Sequence, residues 1–362
     1  MRDIATDLVA WAAAGETFAV ATVVAVRGSA PREPGAALAV RADGTALGSV
    51  SGGCVEGAVY ELARQVIAGG RPARQRYGFT SDDPFAVGLT CGGELEVFVQ
   101  PVSADRDPGL VAALATGEPV ALARVVDDSA LAGRSVAVFA DRHVGTVGAG
   151  LDELIVAEAR AMLEQGRTGS RVLGCAPGAE VLVESWVRPP RMLVFGAVDF
   201  AAAVAGAGRF LGYHVVVCDA RATFATRQRF PAADEVVVDW PHRYLARTPT
   251  DSRTVVCVLT HDPKFDVPVL TEALRRDVAY VGALGSRRTH ADRLGRLRAA
   301  GLGEAELARL RSPIGLDLGA RTPEETALSI AAEIVAVNRG GTGLPLAATD
   351  GPIHREPALS VH

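Results

Sequence analysis

The first half of the chain repeats itself, and this limits what it can fold into more than any other feature. "AVRADGTALGSVSGGCVEGAVYELARQVIAGGR", from Ala39 to Arg71, returns as "AVFADRHVGTVGAGLDELIVAEARAMLEQGR", from Ala137 to Arg167. One small gap sets Asp43 against Asp141, Gly48 against Gly145, Gly53 against Gly150, Glu56 against Glu153 and Glu61 against Glu158. The flanks match too, "TVVAVRGS" with "RVVDDSAL" and "GGELEVFVQP" with "PGAEVLVESWV". In each copy the apolar pattern predicts a strand, a turn, a second strand, a helix and a closing strand. Residues 1–188 therefore read as one pseudo-symmetric α+β domain, copy one over about 18–103 and copy two over about 118–188. Two aligned positions differ: Cys54 meets Leu151, and Gly52 meets Ala149. The scaffold is shared and the thiol is not.

The second half alternates differently. "MLVF" leads into the helix-like "GAVDFAAAVAGAGRFLG" and then "HVVVCDA". "EVVVDW", "TVVCVLTHD" and "VAYVGALGS" follow, with helices expected around Val269–Arg276 and from about Arg288 to Ala300. Continuous apolar strands alternating with helices mean a parallel sheet covered on both faces. The expected fold class is α/β: the repeated α+β domain, then a Rossmann-like doubly wound parallel-sheet domain over 191–340. "TPEETALSIAAEIVAVNR" closes it as a helix, with Thr322 as N-cap, Pro323 at the first position and Glu325 completing a capping box. Rich in Gly, Pro and Ala, 341–362 reads as a flexible tail.

Charge and cysteine usage narrow the function. Thirty-seven basic residues against 42 acidic ones leave a net charge of −5, which argues against nucleic acid as a partner. No window approaches the length of uninterrupted apolar sequence a membrane span needs. Arg2, Asp3, Asp7 and Glu16 break the order of a signal peptide. The five cysteines, Cys54, Cys91, Cys175, Cys218 and Cys257, form no C-x-x-C, so zinc ribbons and iron–sulfur clusters find no support. A reduced, cytoplasmic protein is expected. The single lysine, Lys264, fits either chance survival of a coding bias towards arginine or a need for a compact, titratable amine.

The repeat difference points at "GSVSGGCVEG", Gly48 to Gly57. A hairpin around Asp43-Gly44 delivers the chain to Gly52 and Gly53, which can take positive φ and turn amides towards one concavity. Val55, Val59, Leu62 and Val66 then share a helical face, so Cys54 falls at or near a helix N-terminus. There the dipole favours an anion and lowers a thiol's pKa. A small cysteine packed in a turn is the alternative. "LTCGGELEVFVQP" repeats the theme with Cys91, Gly92 and Gly93 before a strand whose Leu95, Val97 and Val99 face inward. "RGSAPREPG" reads equally as an anion loop using Ser29 and Arg32 or as a plain connection.

In the second half, Gly196 and Ala197 open a turn placed like a dinucleotide fingerprint, but Val198 replaces the second glycine and Asp199 stands at the helix start. Asp219, about twenty residues on, suits a ribose hydroxyl or simply ends a strand. His261, Asp262 and Lys264 follow another strand and read as an acid–base or phosphate site; a full metal-ligand set is not visible. Ser286, Arg287 and Arg288 open a helix as an anion cradle or as a solvated basic end. Apart from Val198 and Asp199, these nine residues form the nucleotide-site candidates.

Several motifs in one order resemble the XdhC/CoxI family of molybdenum-hydroxylase accessory proteins. In the first half they are "GSAPREPGAALAVRADGTALGSVSGGCVEGAV" and "TCGGELEVFVQP"; in the second, "THDPKFD", "YVGALGSRR", "PIGLDLGA" and "TPEETALSIAAEI". The resemblance covers about 18–338. It implies a chaperone that binds molybdenum cofactor, keeps it from oxidation and supports its sulfuration and insertion into xanthine dehydrogenase or a related hydroxylase. It places Gly52, Gly53 and Cys54 in the cofactor-binding element, and Ser51, Glu56, Cys91, Gly92 and Gly93 complete the candidate cofactor-binding set. Amides of Gly52 and Gly53 are expected on the anionic part and Cys54 near molybdenum. A client hydroxylase, a cysteine desulfurase and a second copy of the chain are the expected partners. The family would suggest "GAGHVA" where this chain has "GAVDFA". An NAD(P)-dependent oxidoreductase using the second domain is the runner-up, and a pure protein adaptor a third reading. Xanthine dehydrogenase itself is excluded by length and by the missing cysteine clusters.

Overall fold

A computed structural model describes residues 1–28, 32–78, 93–102, 107–127, 129–173 and 179–350. It divides into two compact units, the first over Met1–Arg188 and the second from Pro189 onward.

The first unit carries the repeat into three dimensions. Copy one runs α1 (Ala5–Ala13), β1 (Phe18–Arg27), β2 (Ala37–Arg41), β3 (Ala46–Gly48), α2 (Glu56–Gly69), β4 (Ala73–Tyr77) and β5 (Glu94–Val102). Copy two runs α3 (Pro108–Ala115), β6 (Val120–Val125), β7 (Ser135–Val138), β8 (His143–Gly145), α4 (Asp152–Gln165), β9 (Gly169–Leu173) and β10 (Ala179–Trp186). The sheets have matching orders, β3-β2-β1-β5-β4 and β8-β7-β6-β10-β9, with antiparallel neighbours. In β1, Ala19, Ala21 and Val23 face α2, whose Val59, Ala63 and Val66 cover them. Ile155, Ala159 and Met162 of α4 do the same for the second sheet. The opposite faces meet α1 and α3 through Phe18, Val20, Leu110, Leu122 and Trp186.

The inward alternation expected for β5 is incomplete, because Phe98 is buried as well, against Val24, Val126 and Leu182. Strands covered on both faces lose the period-two signature that one solvated face creates. Between the sheets lies a polar cluster that hydropathy does not announce. Arg124, wholly buried, donates to Glu184 at 2.9 Å and to Thr22 at 3.0 Å.

The second unit is a six-stranded parallel sheet. Its elements are β11 (Arg191–Phe195), α5 (Asp199–Phe210), β12 (His214–Asp219), β13 (Glu235–Val238), α6 (Pro241–Arg247) and β14 (Val255–Val258), then α7 (Pro263–Leu274), β15 (Tyr280–Ala283), α8 (Arg287–Ala299), α9 (Glu304–Leu307), β16 (Leu310–Arg311) and α10 (Pro323–Arg339). The order β13-β12-β11-β14-β15-β16, all parallel, is the doubly wound arrangement. Met192 and Val194 pack under α5 and α10, while Leu193 and Phe195 pack on the other face. The capping box of Thr322 and Glu325 forms as the sequence predicts. α7 begins six residues earlier than expected, at Pro263, with Asp262 as N-cap. Pro268 lies inside it and withholds one amide from the ladder, which hides the first turn from a periodicity reading. No helix among the described residues is long and apolar enough to cross a membrane.

Candidate functional site

Gly48 ends β3 at φ +86°, and a Cβ there would stand 2.2 Å from the Ala37 carbonyl oxygen, so only glycine fits. The chain then crosses Ser49–Val55 to α2. Glu56, the first helical residue, turns back into this loop. Its carboxylate accepts from the Ser49 hydroxyl at 2.6 Å, the Ser51 amide at 2.9 Å and the Gly53 amide at 2.8 Å, and from the Ser51 hydroxyl. The Ser49 oxygen accepts from the Gly52 amide at 2.9 Å, and the Ser51 oxygen from the Val55 amide at 2.9 Å. Burial pushes the Glu56 carboxyl up, but the two hydroxyls and the loop amides outweigh it and hold the group at about 2.

The amides of Gly52 and Gly53 assigned to a bound anion have partners inside the loop, and the N-terminal dipole of α2 is met by the chain's own Glu56. What stays open is space. Gly52 at φ +73° and Gly53 at φ +120° are exposed, and a Cβ added at either would meet nothing within 4 Å. Cys54 follows them, two residues ahead of the helix, half-buried against the cluster that holds Val50, Val55 and Val59. Arg32 lines a cavity of about 180 Å³ together with Gly48 and Ser49, and pairs with Asp3 at 3.5 Å. Gly93 is buried just before β5, whereas Ser29, Cys91 and Gly92 lie outside the described residues.

Copy two anchors its loop in the same way. Asp152, first residue of α4, accepts from the Thr146 hydroxyl at 2.6 Å and from the amides of Val147 at 2.7 Å and Gly148 at 3.3 Å. The structural counterpart of Glu56 is thus Asp152, not Glu153, and Leu151 occupies the N-cap position that Val55 holds. Seven residues separate β3 from α2, six separate β8 from α4. The gap in the repeat belongs partly in this loop, and Leu151 is not the match of Cys54.

At the carboxyl edge of the parallel sheet two pairs of candidates engage each other, Ala197 with Asp219 and Asp262 with Lys264. Gly196, at φ +115°, passes so near Thr260 that a Cβ would come within 2.9 Å of its methyl group. Asp219 is buried; it accepts the Ala197 amide at 2.7 Å, the Arg221 amide at 2.8 Å and two guanidinium nitrogens of Arg221 at 2.9 and 2.7 Å. Burial raises its carboxyl, but Arg221 and the Ala197 amide bring it below the ordinary value. The ribose role expected for Asp219 therefore meets a carboxylate already filled. Asp199 pairs with Arg229 at 3.1 Å. Asp262 caps α7 through the Lys264 amide at 3.0 Å and holds the Lys264 ammonium at 2.9 Å, while His261 is exposed. Ser286 caps α8 through the Thr289 amide, and Arg287 and Arg288 are exposed, with no ion pair among the described residues. Beneath them Asp266, which the sequence pattern does not single out, pairs with buried Arg293 at 2.9 Å and accepts from Thr260. No three potential metal ligands converge among the described residues.

Residues 192–334 match the family described as the XdhC Rossmann domain, and residues 11–78 and 113–174 match the XdhC and CoxI family. The Escherichia coli molybdenum cofactor insertion chaperone PaoD is 30% identical over 324 residues, 89% of this chain and 84% of that protein. A Bacillus subtilis protein named as a probable subunit of xanthine dehydrogenase is 26% identical over 334 residues, 90% of this chain and 94% of that one. A crystal structure from Bacillus halodurans, called a xanthine dehydrogenase, shares the fold: TM-score 0.67 and 24% identity over 95% of this chain and 98% of that one.

Proposed function

Because the chain belongs to the XdhC and CoxI family, we propose that it is a molybdenum cofactor insertion chaperone serving a hydroxylase of the xanthine dehydrogenase kind. In this reading it receives the cofactor in the cytoplasm, shields it from oxidation and supports its sulfuration, with a cysteine desulfurase as a further partner. The binding element is the loop from Ser49 to Glu56. Its central support is the asymmetry of the repeat: where copy two closes the turn in six residues, copy one uses seven and sets Cys54 beside two exposed glycines.

The residues divide the work. Glu56, with Ser49 and Ser51, holds the loop in one shape before any cargo arrives, which lowers the cost of ordering it on binding. Gly52 and Gly53 leave room for a flat pterin to approach the backbone. Cys54 offers a soft sulfur donor towards the metal-bearing end. With the glycine amides engaged, the anionic part falls to Arg32. The nucleotide reading of the second unit gains nothing from Asp219, whose oxygens are taken by Ala197 and Arg221.

The test is to purify the protein from cells that make molybdenum cofactor, oxidise an acid extract and measure fluorescent pterin and metal. Pterin with the wild-type chain and its loss with Cys54→Ala are expected. A wild-type chain that carries no pterin yet captures a molybdenum hydroxylase would replace this reading with that of an adaptor.

A further inference from the structure

α10 has two apolar faces, and among the described residues the hydrophobic core takes up one of them. Ala327, Ile330 and Ile334 are buried in the core shared with α5 and the sheet. A helix partnered on that side alone carries polar residues opposite. Here the outer stripe runs Glu324, Leu328, Ala331, Ala332, Val335 and Arg339, with Leu328 63% and Val335 44% exposed. Alongside it α5 presents Ala203, Gly206 and Ala207 and ends at Phe210, 90% exposed. The two helices, with Leu316 and with Gly341, Gly343 and Leu344 beyond the end of α10, wall an apolar groove of about 840 Å³. A continuous exposed apolar face of this kind marks an interaction surface.

The order of residues along the stripe says what fits it. About the midpoint between Ala331 and Ala332, position 324 exchanges with 339, 328 with 335, and 331 with 332. Glutamate thus exchanges with arginine, leucine with valine and alanine with alanine. A twofold axis through that midpoint lays α10 antiparallel on a second α10. Leu328 then meets Val335 of the second copy, and Glu324 meets Arg339 of the second copy at both ends. The two small alanines at the axis let the backbones approach, and the antiparallel helix dipoles attract. A self-complementary patch is what a twofold interface requires. A partner of uniform charge would satisfy one end of the stripe and be repelled at the other.

We propose that the α5–α10 face is the interface of a homodimer in which α10 packs antiparallel against its own copy. The contact is independent of cofactor binding, so its failure leaves the chaperone reading untouched.

Sedimentation equilibrium of the full chain across the micromolar range tests it. The wild type is expected to be a dimer, and Leu328→Arg to weaken association at least about tenfold while the far-UV spectrum and melting curve hold. Glu324→Arg and Arg339→Glu should each weaken the dimer, and the two together should restore it, since opposite charges again face each other. A monomeric wild type overturns the proposal and leaves the face to a partner of another kind, such as the client enzyme. A dimer that Leu328→Arg leaves intact overturns it too, as do two damaging charge reversals whose combination fails to recover.

Discussion

The loops that enter α2 and α4 solve one structural problem with one device. In both, a carboxylate at the first helical position reaches back to the hydroxyl that follows a strand-ending glycine, Ser49 after Gly48 and Thr146 after Gly145. In both the strand turns away where a glycine Cβ would strike the facing carbonyl oxygen, that of Ala37 or of Ser135. Since copy two has the anchor without the thiol, the anchor belongs to the scaffold. Glu56, a candidate of the cofactor-binding set, holds the loop through Ser49, Ser51 and the Gly53 amide. The difference left between the copies is the added residue, Cys54, and Gly52 where copy two has Ala149, and there the proposed function rests.

The comparison is broken most directly by truncating one side chain at each of the two helix entries. Cys54→Ala is expected to lower bound pterin at least about tenfold and leave the melting temperature unchanged, because a half-buried thiol loses little by truncation. Leu151→Ala should do the reverse, costing about 1 kcal/mol of stability with cofactor retained, since it packs against the core of copy two. Equal cofactor loss in both variants would end the assignment to copy one.

The two anchors come next. Glu56→Gln is expected to cost about 2 kcal/mol, and Asp152→Asn about 1 kcal/mol, because the first carboxylate serves both hydroxyls and amides of a longer loop. The pH dependence has a definite sign. The Glu56 carboxyl sits at about 2 in the folded chain against an ordinary 4.5. Its contribution is therefore complete above the ordinary value and is lost as pH falls towards about 2. Urea unfolding at neutral and at acidic pH should show a smaller acid loss in Glu56→Gln than in the wild type.

These anchors also mark where a linear reading stops. The repeat and the alternation of apolar residues reveal one doubled α+β layer and a doubly wound sheet, because side-chain periodicity is a local consequence of backbone geometry. The same signal places Val59, Ala63 and Val66 on one face of α2. It cannot say that Glu56 folds back on Ser49, that Asp219 takes the Ala197 amide, or that Arg124 and Glu184 meet between two sheets. Each of those depends on where a carboxylate ends up once distant or reversed segments are brought together. The alignment error at Leu151 has the same source: identical letters, Gly150 and Glu153, drew the gap away from the loop, whereas the burial of Val59 and Ile155 puts it back.

Two smaller perturbations sharpen the contrast. Gly52→Ala gives copy one the residue that copy two carries as Ala149, which itself sits at φ +55°. The left-handed backbone costs an alanine about 1 kcal/mol, and the methyl group enters the space proposed for the pterin, so a modest stability loss with a clear loss of cofactor is expected. Full binding by that variant would move the cargo away from the glycines.

Asp3→Ala is the mildest change. The Arg32–Asp3 pair spans 3.5 Å and Asp3 is 84% exposed, so its removal should shift stability by less than about 0.5 kcal/mol. Binding should move the other way. A guanidinium released from a competing carboxylate attracts the anionic end of the cofactor more strongly, with a gain of about twofold at low ionic strength that fades as salt screens it. Titration of cofactor at two salt concentrations measures this. Arg32→Ala should then weaken binding and flatten the salt dependence, and an Asp3→Ala gain that survives high salt would mean that Arg32 is not the anion's partner.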